Sequence, residues 1–362
     1  MRFATVALVT ALNGMAVGGE NAAPTTAVPV RMPENAIVVQ EAKTYNSWPM
    51  IQHVGNRVIC AYSRGSAHTI DEPVRGVYAR SSTDGGRTWS PEVTVVNDPK
   101  IGEVAEGAGA DSTGAMLLWV RCWGAPENRR HELYRTTDGE RFKRISRIVP
   151  DPFPMQIMRP TRIPGLGLVS LWFAGNYRKG GANAWGMLVS ADDGRTWEHR
   201  TIENGLDVRE WPTEPAIVAL GDGRLLIIAR CEQRLGNQFQ ITSTDNGRTW
   251  KKVRTNIGDV AESTPALVLD PESRTLAHYY YHRGARKLKR RTVNADFIFT
   301  RPTEWPEPET LARGFEERAY DAGNVTVTRL AGTDYCAWYS GTSKDTAVVV
   351  TPVAAPKTKG EK

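Results

Sequence analysis

One short pattern returns along this chain at an almost fixed interval. Ser82-Thr83-Asp84-Gly85-Gly86-Arg87-Thr88-Trp89 is followed by Ser190-Ala191-Asp192-Asp193-Gly194-Arg195-Thr196-Trp197 and by Ser243-Thr244-Asp245-Asn246-Gly247-Arg248-Thr249-Trp250. All three read S-x-D-x-G-x-T-W, and Thr136-Thr137-Asp138-Gly139-Glu140-Arg141-Phe142 is a shortened copy. The copies start at 82, 136, 190 and 243, at intervals of 54, 54 and 53 residues. A constant period of this size marks structural units that bury their faces only by stacking on one another. Residues 36–351 hold about six such units, the last two without a readable copy of the pattern.

Within a unit, apolar or alternating runs are separated by turns. One run precedes the pattern (Val74 to Arg80, Trp185 to Val189, Phe239 to Thr242), and another follows an earlier glycine turn (Arg57 to Tyr62, Ala115 to Val120, Leu225 to Ala229). Several short strands per unit, Gly-rich turns and eleven Trp predict an all-β fold: a six-bladed β-propeller with four-stranded antiparallel blades. The pattern has a structural mechanism of its own. An Asp carboxylate accepts backbone N–H bonds across a tight turn, Gly supplies the positive φ, and Trp packs between sheets. Asp84, Asp192 and Asp245 are therefore read as turn staples and not as catalytic groups.

Charge and cysteine content narrow the function classes. The chain of 362 residues has a net charge of +6, and its one dense basic run, Arg283 to Arg291, reads as a solvated loop or edge strand. No nucleic-acid motif accompanies it, so nucleic acid is not expected as a partner. Cys60, Cys122, Cys231 and Cys336 form no CxxC pair and lie in apolar runs, the pattern of buried free thiols. No ligand-spaced cluster and no nucleotide loop is present, so neither a metal nor another cofactor is expected. Residues 1–23, with Arg2 before the apolar stretch Phe3 to Val17, read as a signal peptide and point to a secreted or periplasmic protein. That stretch is too short and interrupted for stable membrane insertion. Residues 24–35 form a leader, 36–351 one propeller domain and 352–362 a disordered tail.

The innermost strands of a propeller line its axis, and superposing the units identifies what faces it. A proline-centred step opens several of them: Ser47-Trp48-Pro49, Arg159-Pro160-Thr161, Glu214-Pro215-Ala216 and Thr264-Pro265-Ala266. Tyr320-Asp321-Ala322 takes that place in the last unit, which gathers Trp48, Arg159, Glu214 and Tyr320 at one mouth. The second strands end on Arg64, Arg121 and Arg230, with Arg283 near the matching place. Arginines gathered at one mouth repel one another and make sense around an anion, since guanidinium forks bind carboxylates. A phenol beside a carboxylate base is a potential nucleophile. A general acid is available in the loop holding His68, Asp71 and Glu72, with Asp71 preferred and His68 its rival.

With these residues in place, the chain resembles the sialidase (neuraminidase) superfamily over roughly residues 36–350, the S-x-D-x-G-x-T-W pattern being its Asp-box. The segment 213–230, TEPAIVALGDGRLLIIAR, is similar to the family's stretch carrying its base glutamate and one arginine of a carboxylate-binding triad, here Glu214 and Arg230. Ala319-Tyr320-Asp321 resembles the nucleophile segment, and the family's loop acid falls near Asp71. The resemblance implies a retaining exo-glycosidase that removes a terminal acidic sugar, sialic acid, from a glycan or glycoconjugate. It departs from the family at Ser47-Trp48-Pro49, where the first triad arginine is missing; Arg162-Ile163-Pro164 has the right letters in the wrong unit. Arg283 or Arg286 serves as the third arginine, and Arg64 or Arg159 supplies the missing charge. Two alternatives stand beside this reading. One is a hydrolase or lyase for uronate glycans, a lyase leaning on His68, His278 or His282. The other is a glycan-binding propeller without catalysis.

Overall fold

Each copy of the repeat closes the same turn. In the computed structural model, which describes residues 35–68, 75–176, 182–232, 236–259, 263–314, 321–342 and 344–356, the Asp192 carboxylate accepts hydrogen bonds from the Thr196 backbone N–H (2.9 Å), the Thr196 hydroxyl (2.7 Å) and the Ser190 hydroxyl (2.8 Å). Asp84 and Asp245 repeat the arrangement with Thr88 and Thr249. Gly86, Gly194 and Gly247 take the left-handed φ that the turn requires, at 84°, 88° and 76°. The threonine bonds hold the carboxyls down, to about 2 in Asp192 and Asp245. The closing tryptophans pack inward, Trp197 on Trp119 with centroids 5.2 Å apart and Trp250 on Trp185 at 6.0 Å.

The turns join strands into antiparallel sheets with the topology of a propeller. Gly102–Ala110, Met116–Trp123, Arg130–Thr136 and Lys143–Ile148 form one four-stranded sheet. Pro212–Gly221, Arg224–Cys231, Phe239–Ser243 and Lys251–Arg254 form a second. Ala266–Leu269, Thr275–His282, Lys287–Asn294 and Glu309–Arg313 form a third, with the short helix Ala295–Thr300 before its last strand. In a five-stranded sheet the innermost strand is broken, so that Gln156–Ile157 and Thr161–Ile163 both pair with Gly167–Ala174. The eight-stranded sheet joins two antiparallel runs by one parallel contact, Tyr45 with Thr346. Its strand Ile37–Gln40 pairs with Thr346–Ala354, tying the start of the described chain to its end.

Sheet faces meet over aromatic side chains. Trp119, Trp172, Trp185, Trp211 and Trp338 are fully buried, and Trp119 Nε1 donates to the Ser170 hydroxyl of the next sheet at 3.0 Å. All four cysteines are buried free thiols, and burial pushes Cys122 up to about 12. Two expectations change. The basic run is a loop only in its first part: Arg283 to Arg286 form a turn, whereas Arg290 and Arg291 are buried in the third strand of their sheet, Arg290 bonded to Glu309 (2.7 Å) and Arg291 to the Tyr280 hydroxyl (2.8 Å) and Asp259. Pro352, Val353 and Ala354, read as tail, belong to the last strand and pair with Tyr335, Asp334 and Thr333.

Two outcomes follow for stability. The carboxyl of Asp192 titrates near 2 in the fold against an ordinary 3.8, so its contribution is complete above pH 3.8 and lost as pH falls through 2. Asp192→Ala should lower Tm by a few degrees at pH 7 and converge on the parent near pH 2, read by thermal melts across pH. Glu103 has the opposite sign. It is fully buried, and burial pushes its carboxyl up to about 7 although both oxygens accept the Asp98 N–H at 3.1 and 3.0 Å. Its folded state must ionise a buried acid as pH rises from 4.5 towards 7. Glu103→Gln should raise Tm above pH 7, with the gain shrinking as pH falls from 7 and gone below 4.5.

Candidate functional site

The innermost strands do not run straight to the mouth. Ser47 pairs with Ser63 and Met50 with Ala61, so Trp48 and Pro49 face the single residue Tyr62. Glu214 and Pro215 stand between Thr213–Arg230 and Ala216–Ile228, and Asn324 and Val325 between Gly323–Tyr339 and Thr326–Ala337. Glu106 is extra between Ala105–Val120 and Gly107–Trp119. These are β-bulges, which re-aim side chains at the ends of strands. Trp48, Glu214 and Asn324 take left-handed φ values of 50°, 47° and 46°, a strain on the order of 1 kcal/mol or more each for a non-glycine residue. Proline after Trp48 and Glu214 suits a place where the ladder has lost its N–H partner.

The re-aimed side chains meet in a cleft of about 480 Å³. Glu214 is buried on its floor; Arg230 Nη1 lies 3.2 Å from both of its carboxylate oxygens. Arg230 Nη2 donates to Glu232 at 3.0 Å, so one guanidinium spans two acids. The Thr264 hydroxyl lies 2.6 Å from Glu214 Oε2 and 2.9 Å from the Asn324 side chain. A hydroxyl has one proton, and the shorter contact directs it to the Glu214 carboxylate as acceptor. Across the cleft, Glu106 lies 2.8 Å from Nδ1 of the fully buried His131 and 3.6 Å from Arg121 Nε. Arg283 Nε donates to the Ala322 carbonyl at 2.9 Å, and among the described residues Arg283 has no carboxylate partner. Trp48 closes one wall, with the Arg75 guanidinium 4.9 Å over its ring and His68 against its edge. His68 Nδ1 is 2.6 Å from the Tyr45 hydroxyl.

Of the residues expected at the mouth, Trp48, Arg121, Glu214, Arg230 and Arg283 line this cleft, as does His68 of the expected acid loop. Asp71 and Tyr320 lie outside the described residues. By register the place given to Tyr320 belongs to Asn324, four residues further on. Arg64 is not in the cleft: it is bonded to Glu92 and to Asn46, with its guanidinium 4.5 Å over the Tyr78 ring. Strand parity explains the difference. Below the bulge the second strands start level at Ala61, Trp119, Ile228 and Tyr279. Arg121 and Arg230 come two residues later and Arg283 four, all on one face, whereas Arg64 comes three later and turns to the other. Arg159 is also displaced: it lies in the break between the short strands Gln156–Ile157 and Thr161–Ile163, and its guanidinium reaches down the axis to the Val327 carbonyl at 2.9 Å and Gln52 Oε1 at 3.2 Å. Arg286 sits in the turn between two strands at φ 52°, its carbonyl accepting the Gly314 N–H, and is not part of the cleft wall.

Sequence reasoning missed Glu106, Glu232 and Asn324. Only Glu232 had a signal, two residues beyond Arg230 on the same strand direction. Of the histidines, His278 is sealed between Tyr280 and Trp305, and burial pulls it down to about 3. It cannot touch a substrate, and His282 is not in the cleft wall either. Among the described residues no group of three or more His, Cys, Asp or Glu is arranged to hold a metal ion, and no helix is long and apolar enough to cross a membrane.

The arrangement separates two kinds of arginine, and mutation should show it. Arg230→Met strands Glu214 and Glu232 without their shared cation and should cost about 3–5 kcal/mol in urea unfolding. Arg283→Met, which releases only a carbonyl, should leave the urea midpoint nearly unchanged.

Comparison with known proteins agrees with this architecture. The family model described as a BNR repeat-like domain matches residues 56–322. No curated protein matches the chain. Among solved structures, a protein of unknown function from Dyadobacter fermentans DSM 18053 superposes with a TM-score of 0.68 at 15% identity, covering 89% of this chain and 99% of that one. A Hadza microbial sialidase gives 0.64 at 16% identity, covering 86% and 68%. Trypanosoma rangeli sialidase in complex with the inhibitor DANA gives 0.62 at 12% identity, covering 89% and 58%. Similarity at these identities is similarity of fold.

Proposed function

The chain belongs to the BNR repeat-like domain family, and we propose that it is a six-bladed, sialidase-like propeller that hydrolyses a terminal acidic sugar, sialic acid, from glycans. Six blades result when the eight-stranded sheet is divided at its one parallel contact. The observation that carries the functional reading is the meeting of Arg121, Arg230 and Arg283 with Glu214 in one cleft. Arg283, with no acid of its own among the described residues, takes the sugar carboxylate, and Arg121 and Arg230 add to the positive field. Tyr320 attacks the anomeric carbon, Glu214 takes the phenolic proton, and Asp71 protonates the departing glycosidic oxygen. Water then releases the sugar with retained configuration. A secreted or periplasmic location, read from residues 1–23, suits a glycan substrate.

A second reading has its own support. Asn324, by register, occupies the place beside Glu214 that a nucleophile would need, and Arg230 is already matched by two acids. That arrangement favours a cleft that holds an acidic glycan without cleaving it, or one that acts on a uronate glycan.

A fluorogenic sialoside assay separates the two. Turnover by the parent, falling by about 10²-fold or more in Tyr320→Phe and in Glu214→Gln, supports the first. No turnover of any sialoside, together with retention of acidic glycans on an array, supports the second.

A further inference from the structure

The axis of the propeller continues below the cleft. The inner strands enclose a narrow, mainly apolar passage of about 60 Å³, walled by Met50, Ala108, Ile217, Leu267 and Val327. It leads to a wider hollow of about 410 Å³ on the opposite face. Arg159 belongs to the walls of both.

Arg159 differs from the other arginines around the axis. Arg121, Arg230 and Arg329 each face an acid, at 3.6, 3.2 and 2.6 Å, and Arg162 is bonded to Asp193. Arg159 donates only to two neutral acceptors, the Val327 carbonyl and Gln52 Oε1, and among the described residues has no carboxylate partner. Its side chain is exposed, and the space that it faces is the axial passage and the hollow. Arginine keeps its charge at any working pH. A fixed cation without an acid of its own draws in anions. Two of its five N–H groups are used in the bonds above.

We propose that the axial passage binds a small monovalent inorganic anion, of chloride size, on the Arg159 guanidinium. The narrowness of the passage selects against bulky organic anions, and entry is from the hollow on the face opposite the cleft. The site is independent of what the cleft binds or cleaves.

Two measurements test this. Melting of the parent protein is followed in sodium chloride and in sodium gluconate at equal ionic strength. Tm should rise by several degrees with chloride only, and Arg159→Gln should abolish that difference. Crystals of the parent grown in sodium bromide should show an anomalous peak within hydrogen-bonding distance of the Arg159 guanidinium. The parent crystal keeps the test decisive even if the variant does not fold. An equal chloride response in parent and variant, or an empty passage in bromide, would overturn the proposal.

Discussion

The bulge near the top of the innermost strands is the constraint on which the cleft depends. A regular strand would point alternate side chains along the faces of its sheet, into the packing between blades. The extra residues at Trp48, Glu106, Glu214 and Asn324 break that alternation at the mouth. Three of them sit at left-handed φ values, which the ladders on either side hold in place. Several paired residues follow directly below each bulge, so the strain is local and rests on a paired support. Trp48, Glu106, Glu214 and Asn324 thus meet in the cleft directly from strands.

The repeat motif acts elsewhere. The Asp-box turns are held by their own Ser and Thr side chains, and the tryptophans that follow pack between sheets. None of the Asp-box aspartates lines the cleft. The motif fixes the spacing of units, and the spacing fixes which strands become innermost. It constrains the site only by delivering backbone to the axis. A chain can keep its boxes and change its chemistry at the bulges.

That division explains what could be read from the residues. The repeat is a local signal with a local mechanism, so the propeller was legible. Glu214 and Arg230 were legible because a proline marks the bulge and a hairpin of ordinary length returns to it. Arg64 was not, because an arginine one residue out of step on a strand lies on the opposite face, and the step depends on pairing register. Glu106 and Asn324 were missed because no proline follows them; nothing in a linear sequence marks a bulge formed by Ala105-Glu106-Gly107. Arg159 was misplaced because its inner strand is broken there: Arg159 and Pro160 fall between two short strands, an interruption that the sequence does not mark.

Charge balance along the axis links the two ends of the molecule. In the cleft, Arg121 and Arg230 stand against Glu106, Glu214 and Glu232, pairs whose Coulomb gain is largely spent on desolvation. They shape the floor and hold Glu214 still more than they attract a ligand. Arg283 at the mouth and Arg159 in the passage are bonded to neutral acceptors instead. Positive potential is therefore concentrated at two points on the axis. The cleft at Arg283 has room for an organic acid, whereas Arg159 stands between a narrow passage and a wider hollow. The recognising group is the same guanidinium in both, so any difference between the two points comes from the shape of the space around it.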